Sequence, residues 1–481
     1  MLNEKNRGEK MKAPLLEELI KYHNKDNLIL SMPGNKCGRV FCIDELGRKF
    51  MNNMGRMDIT EVDNLDNLHA PEGVIKEAQE MLAKTYNAKK AYFLVNGSSS
   101  GNLAGIFSAF KEGDEVVVER NCHKSIYNGL ILRKLKVTYI EPVIDHKNGV
   151  FLPPDKNNIY EAVNKCTDPK GIILTYPNYF GIAYDIEDII KDLKNRGLKI
   201  IIDSAHGAHF GTSNRLPKSV SGMGDYVVLS AHKTLPSLTQ GAYLMVNDDN
   251  EYAEFYIKAF MSTSPSYLIM ASLDYARHYL DEYGHDEYER LINTAEKWKE
   301  KINSLGKVQV LSEDMLEVMD KDKYEVDLSR YVLILPDGYS GHKLQDYMKD
   351  MKIQCEMSFS RGVVLILSPV NDEDDFLKIY DAIERLDMSR LSCEESAYYS
   401  TSIPKKILEP YEVFHSKSEF VDVEVSEGRV AKESIIPYPP GIPLVCLGEV
   451  ITHEAIEIIK DYSENGRTIM GIDKNKIHVI L

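Results

Sequence analysis

Short, nearly continuous apolar runs alternate along the chain with longer stretches whose apolar positions recur every three or four residues. The first kind reads as buried strand, the second as amphipathic helix. The runs are AYFLV at 91–95, EVVV at 115–118, VTYI at 137–140, GIILT at 171–175, KIIID at 199–203 and YVVLS at 226–230. Helical patterns separate several of them. One runs from Pro71 to Tyr86, where a proline opens a stretch with Val74, Ile75, Ala78 and Leu82 on one face, and another from Ile186 to Arg196. Strands alternating with helices imply right-handed crossovers and a mostly parallel, helix-covered sheet.

A long helical pattern from Leu268 to about Leu305 leads into a second series. It comprises YVLILP at 331–336, a helix near His342 to Met351, VVLILSP at 363–369 and a helix near Asp374 to Leu386. Beyond Met388 lie the proline-rich PYPPGIP at 437–443 and a final helix near Glu454 to Ser463. Ahead of the sheet, Lys12 to His23 carries Leu15, Leu16, Leu19 and Ile20 at helical spacing behind Pro14, an amphipathic arm of the kind that packs on a neighbour. The expected division is an arm over 1–30, a large domain over 31–270, a small α/β domain over 271–388 and a C-terminal α+β segment over 389–481.

Composition narrows the function classes. The 481 residues hold 58 Lys plus Arg against 74 Asp plus Glu, a net charge of −16, which argues against the basic face of a nucleic-acid protein. Apolar residues at 43% and charged residues at 27% are those of a chain that folds completely. Seven cysteines without a C-x-x-C pair, an odd number, fit reduced thiols in a cytoplasm. Met1 to Lys25 has no secretory apolar region, and no apolar run approaches a membrane span. A cytoplasmic chain with no membrane partner is expected.

Three predicted strands end in polar residues, and in an open α/β sheet ligands sit at the carboxyl ends of strands. NGSSSGN at 96–102 opens a helix with small residues whose N–H groups and hydroxyls suit a phosphate, although the same residues also make ordinary turns and caps. Asp203 ends KIIID, where it can cap a helix or pair with a cationic ring nitrogen. Lys233, in SAHKTLPSLTQGA at 230–242, follows Asp203 by 30 residues; a lysine there is either solvated or chemical. Together the three make the kit for pyridoxal 5'-phosphate: phosphate cradle, ring-nitrogen partner and Schiff-base amine. Ser230 and His232 sit within reach of the same phosphate as Ser98, Ser99 and Ser100.

With these strings in view the chain resembles the Orn/Lys/Arg decarboxylases, pyridoxal-phosphate enzymes of the fold-type I, aspartate aminotransferase-like class. The resemblance runs from about Pro33 to Glu449 on MPGNK (32–36), DITEVDNLDNLHAPEGVIKEAQ (58–79), FLVNGSSSGN (93–102), RNCHKS (120–125), YPNYFGIAYD (176–185), DSAHGAHF (203–210), SAHKTLPSLTQGA, STSPSYLIMASLD (262–274) and YPPGIPL (438–444). It implies Lys233 as the Schiff-base lysine, Asp203 as the partner of the ring nitrogen, His123 as the imidazole stacked on the ring and His206 beside it. It also implies Ser98, Ser99, Ser230 and His232 as phosphate ligands, with Ser262 reaching a phosphate from the neighbouring subunit of a homodimer. Glu449 matches an acidic residue at the substrate pocket. A chain that reaches MPGNK by residue 32 resembles the short members without an N-terminal wing domain.

Four departures stand out: Asn35 where the family has His, Asn67 in place of an acid, Ser204 where an acid follows the ring-binding Asp, and Leu447-Gly448-Glu449 for Pro-Gly-Glu. None touches Lys233, Asp203 or His123, so the departures bear on substrate choice. The expected reaction is decarboxylation of a basic amino acid in polyamine biosynthesis, arginine first, then lysine and ornithine, with His232 or Lys233 returning the proton to Cα. Glu449, Asp58, Glu61 and Asp63 are candidate partners for the distal cation. The rivals are another reaction on the same cofactor, with Arg361 gripping an α-carboxylate, and a cofactor-binding regulator without turnover.

Overall fold

In the computed structural model, residues 13–317, 324–393, 402–438, 441–464 and 467–481 are described. Seven strands form the main sheet: β1 (Lys90–Leu94), β2 (Glu115–Glu119), β3 (Lys136–Ile140), β4 (Pro169–Thr175), β5 (Lys199–Asp203), β6 (Tyr226–Leu229) and β7 (Ala242–Val246). Their order is β1-β7-β6-β5-β4-β2-β3. Strand β7, beyond the expected set, pairs antiparallel with both β1 and β6, and the remaining pairs are parallel. The two reversals cancel, so the carboxyl ends of β1, β5 and β6 lie on one edge of the sheet. Ile200, Ile201, Ile202, Val227 and Val228 are fully buried, as a sheet covered on both faces requires.

The helices that serve this sheet and its continuation are α1 (Pro14–His23), α2 (Val74–Thr85), α3 (Gly97–Ala109), α4 (Lys124–Arg133), the single turn α5 (Ala231–Thr234), α6 (Tyr267–Tyr279) and α7 (His285–Ser304). Helix α3 owes its position to its small residues. A Cβ on Gly101 would lie 2.5 Å from Leu94 Cδ1 and 3.2 Å from Val228 Cγ1, so glycine lets the helix settle close to the sheet with both side chains undisturbed. The long pattern after Leu268 resolves into α6, one π-helical turn at Leu280–Gly284, and α7. Helix α1 exists as expected, with Leu15, Leu16, Leu19 and Ile20 exposed.

A second, antiparallel sheet holds β8 (Gln309–Val310), β9 (Arg330–Ile334), β10 (Met357–Phe359) and β11 (Gly362–Ile366) in the order β8-β9-β11-β10, with helices at Gly341–Asp350 and Glu373–Glu384. The segment Leu28–Leu30 pairs with Ile353–Cys355, tying the start of the chain to this half. A third group, Ser418–Asp422, Ile472–Asp473 and Lys476–Ile480 with the helix His453–Glu464, has its own apolar cluster around Val423, Ile435, Ile451 and Val479. Of PYPPGIP, Pro439 and Pro440 lie outside the described residues. No helix among the described residues is long and apolar enough to cross a membrane, and none of the seven cysteines is bridged.

Candidate active site

The shared sheet edge gathers the chemistry. Strand β5 ends at Asp203, β6 runs into α5 and Lys233, and β1 runs through Asn96 into α3. Lys233 Nζ lies 3.0 Å from His206 Nε2. Burial lowers the Lys233 ammonium to about 8, against the opposing pull of Asp203. Burial, and then the charge of Lys233, push His206 well below the usual histidine range. The ring of Tyr179 meets His206 edge-on at 5.0 Å, and its hydroxyl donates to Glu356 Oε1 at 2.5 Å. The turn that carries Lys233 is seated on MPGNK: Gly34 N–H donates to His232 O, and Asn35 Nδ2 donates to Ser237 O.

Asp203 accepts from Ala205 N–H at 3.1 Å and from Asn102 Nδ2 at 2.8 Å. Asn102, fully buried on α3, also donates to Ser125 Oγ at 2.9 Å, and Ser125 Oγ lies 2.8 Å from His123 Nδ1. Burial lowers the His123 imidazole, with Asp203 opposing. His232 Nδ1 lies 3.0 Å from Gly241 O; a carbonyl only accepts, so Nδ1 carries the proton and Nε2 is the basic nitrogen of the neutral ring.

The other expected ligands divide. Gly97 already belongs to α3, so Ser98 and Ser99 occupy its first turn, which no side chain caps. Ser230 Oγ is buried without a partner. Ser100 is a correction: its hydroxyl donates back to Gly97 O at 2.8 Å and is spent within the helix. Ser262 is exposed, with its N–H on Asn96 Oδ1 at 3.3 Å.

Glu449 is also a correction. It is fully buried, Arg120 holds both of its oxygens at 2.7 and 2.8 Å, and Cys446 N–H donates to it, so it has no substrate-facing carboxylate. Burial forces this, because a carboxylate out of water needs a cation and donors. Arg361 is engaged by Asp337 and by Leu335 O. Asp58, Glu61 and Asp63 are exposed. Asn67 accepts from His69 N–H in a surface turn, and Ser204 is buried with its backbone bonded to Val228 and Gly207.

Sequence reasoning passed over Asn102, Ser125, Tyr179 and Glu356. The available signal was Asn102 itself, a bulky amide among the small and apolar residues of α3.

The residues fit pyridoxal phosphate on this structure's own terms. An uncapped helix N-terminus and the unpartnered Ser230 hydroxyl suit a phosphate, a carboxylate with spare acceptor capacity suits a ring nitrogen, and an amine with a lowered pKa suits an aldehyde.

Residues 13–354 match the Orn/Lys/Arg decarboxylase major domain and residues 395–474 its C-terminal domain. The chain belongs to the Orn/Lys/Arg decarboxylase family. It is 35% identical over 462 residues to the uncharacterized protein YaaO of Bacillus subtilis, covering 93% of each chain. It is 27% identical over 480 residues to the arginine decarboxylase of the same organism, covering 97% of each. With the inducible lysine decarboxylase of Escherichia coli it shares 23% identity, over 93% of this chain and 76% of the other. Among solved structures, the constitutive lysine decarboxylase of E. coli superposes with a TM-score of 0.77 at 19% identity, over 98% of this chain and 82% of that one. A serine palmitoyltransferase with its pyridoxal phosphate internal aldimine gives 0.56 at 13% identity, over 74% and 86%. The decarboxylase therefore has the fold-type I architecture, pyridoxal phosphate as its cofactor, and basic amino acids as its substrate class.

Proposed function

We propose that the enzyme removes the α-carboxyl of arginine as CO2 to give agmatine, with lysine and ornithine the next substrates in order, as a step of polyamine biosynthesis in the cytoplasm. The observation that carries the site assignment is the contact of Lys233 Nζ with His206 Nε2 on the edge that also holds Asp203 and the N-terminus of α3. The preference for arginine rests on the relatives named arginine decarboxylase, which match more closely than those named lysine decarboxylase.

Pyridoxal phosphate supplies, when bound, a cationic ring into which the electrons of the breaking Cα–carboxyl bond delocalise. Lys233 would hold its aldehyde carbon, Ser98, Ser99, Ser230 and His232 its phosphate, and Asp203 its ring nitrogen. A lowered pKa keeps part of the Lys233 amine neutral and nucleophilic near neutral pH. Asp203, fixed by Ala205 N–H and Asn102, would keep a proton on the ring nitrogen. After CO2 leaves, Lys233 Nζ returns a proton to Cα, and His232 Nε2 is the second group able to do so. Ser262 would complete the site of a second copy in a homodimer.

The test is production of CO2 and amine from arginine, lysine and ornithine by the purified enzyme, alongside its visible spectrum. Agmatine formation with a yellow band that Lys233→Ala abolishes is the expected result. Amine from lysine or ornithine alone overturns the substrate assignment, and a band without CO2 from any of the three moves the reading toward another reaction on the same cofactor.

A further inference from the structure

A backbone N–H has only a proton to give, so the nitrogen it meets must be bare. Ser125 N–H donates to His123 Nδ1 at 3.2 Å, which fixes His123 as the neutral ring with its proton on Nε2. Ser125 Oγ, 2.8 Å from the same nitrogen, then has no choice but to donate to it as well. Having given its proton, that hydroxyl accepts one from Asn102 Nδ2 at 2.9 Å. The other amide proton of Asn102 goes to Asp203 Oδ2 at 2.8 Å. Turning the amide over would set Asn102 Oδ1 against an acceptor-only carboxylate, so the orientation is forced from the Asp203 end. Every hydrogen in the chain Asp203, Asn102, Ser125, His123 is thereby assigned.

We propose that Asn102 and Ser125 are positioning residues of the decarboxylase: they carry the acceptor character of Asp203 across the site and lock His123 as the neutral Nε2–H tautomer. The inference rests on the reading that His123 faces the cofactor ring and Asp203 its nitrogen. Its chemical sense is electrostatic. Asp203 keeps that ring cationic, and a neutral imidazole packs favourably against a cation whereas an imidazolium repels it. Protonating His123 on Nδ1 would set N–H against N–H at Ser125, so the relay resists that proton in addition to burial, which already lowers the group. Neither residue touches a reacting atom.

The experiment is 15N NMR of histidine-labelled enzyme, with His123 assigned by its absence in His123→Phe, on cofactor-free and cofactor-loaded protein from pH 5.5 to 8.5. Wild type is expected to show one neutral Nε2–H tautomer throughout. Ser125→Thr keeps the hydroxyl and should preserve both that signature and kcat. In Ser125→Ala and Asn102→Leu, His123 should begin to titrate or mix tautomers, with kcat at pH 7 down tenfold or more and KM changed less than threefold. The proposal is overturned if wild-type His123 is protonated or Nδ1–H in either form. It is equally overturned if Ser125→Ala, folded, leaves the tautomer unchanged. Because the tautomer is read without turnover, failure of the decarboxylase reading would show separately, as absence of CO2 from an enzyme with the expected NMR signature.

Discussion

Lys233 Nζ and His206 Nε2 face each other at 3.0 Å, and burial disfavours a positive charge on either. One proton lies between the two nitrogens, so the pair holds at most one positive charge. The neutral amine is the form that attacks an aldehyde. Uptake of pyridoxal phosphate by cofactor-free enzyme is therefore expected to accelerate as pH rises through about 8 rather than through the 10.5 of an ordinary lysine. Stopped-flow absorbance at the yellow band across pH 6 to 11 checks this, and a midpoint near 10.5 contradicts it. Lys233→Ala should lose the band and lower kcat by at least about 10³.

Glu119, at the end of β2, is buried with Oε2 on Thr175 N–H at 2.8 Å and Oε1 unpartnered. Burial, aided by Asp203, raises its carboxyl to about 8 from 4.5. The native state then binds a proton that the unfolded chain has released, so this group makes stability fall as pH climbs from about 4.5 to about 8. Denaturant melts at pH 5, 6.5 and 8 should show that decline, and Glu119→Gln, which mimics the protonated acid, should flatten it. A variant whose stability keeps the wild-type slope would refute the assignment.

Breaking the Arg120–Glu449 pair leaves a charge stranded out of water. Glu449→Ala or Arg120→Ala is expected to cost about 3–5 kcal/mol, measured by urea unfolding. Arg120→Met combined with Glu449→Leu should recover much of the loss. A Glu449→Ala enzyme of wild-type stability and strongly raised KM would restore the substrate role withdrawn above.

Gly34 packs against the backbone that follows Lys233. A Cβ there would lie 2.6 Å from Thr234 C and 2.8 Å from Leu235 N. Backbone cannot swing aside as a side chain can. Gly34→Ala should destabilise by about 1–3 kcal/mol and weaken cofactor retention, read by dialysis followed by the visible band. Unchanged retention would mean that α5 yields without disturbing Lys233.

The positions of α2, β1 to β6 and the paired elements after residue 330 follow from local pattern, because the burial of a helix stripe or a strand shows in the order of apolar residues. Asp203 and Lys233 were readable for the same reason: each is a polar residue where an apolar run stops. Strand β7 was not, since only seven residues separate AYLMV from the lysine turn, without an intervening helix, and its reversed direction is a matter of pairing. Glu449 and Ser100 illustrate the limit. Sequence supplies a carboxylate and a hydroxyl but not the Arg120 or the Gly97 carbonyl that consumes them.

Residue type and short spacing carry most of the elements, the family and its cofactor, and the polar strand ends Asp203 and Lys233 as candidates for that chemistry. Only the tertiary structure decided which donors and acceptors are already spent. Asn102 meets Asp203 across 101 residues and Arg120 meets Glu449 across 329. Contacts of that separation arise when a helix packs on the strand ends and the C-terminal segment folds back over the sheet, and no periodicity along the chain records them.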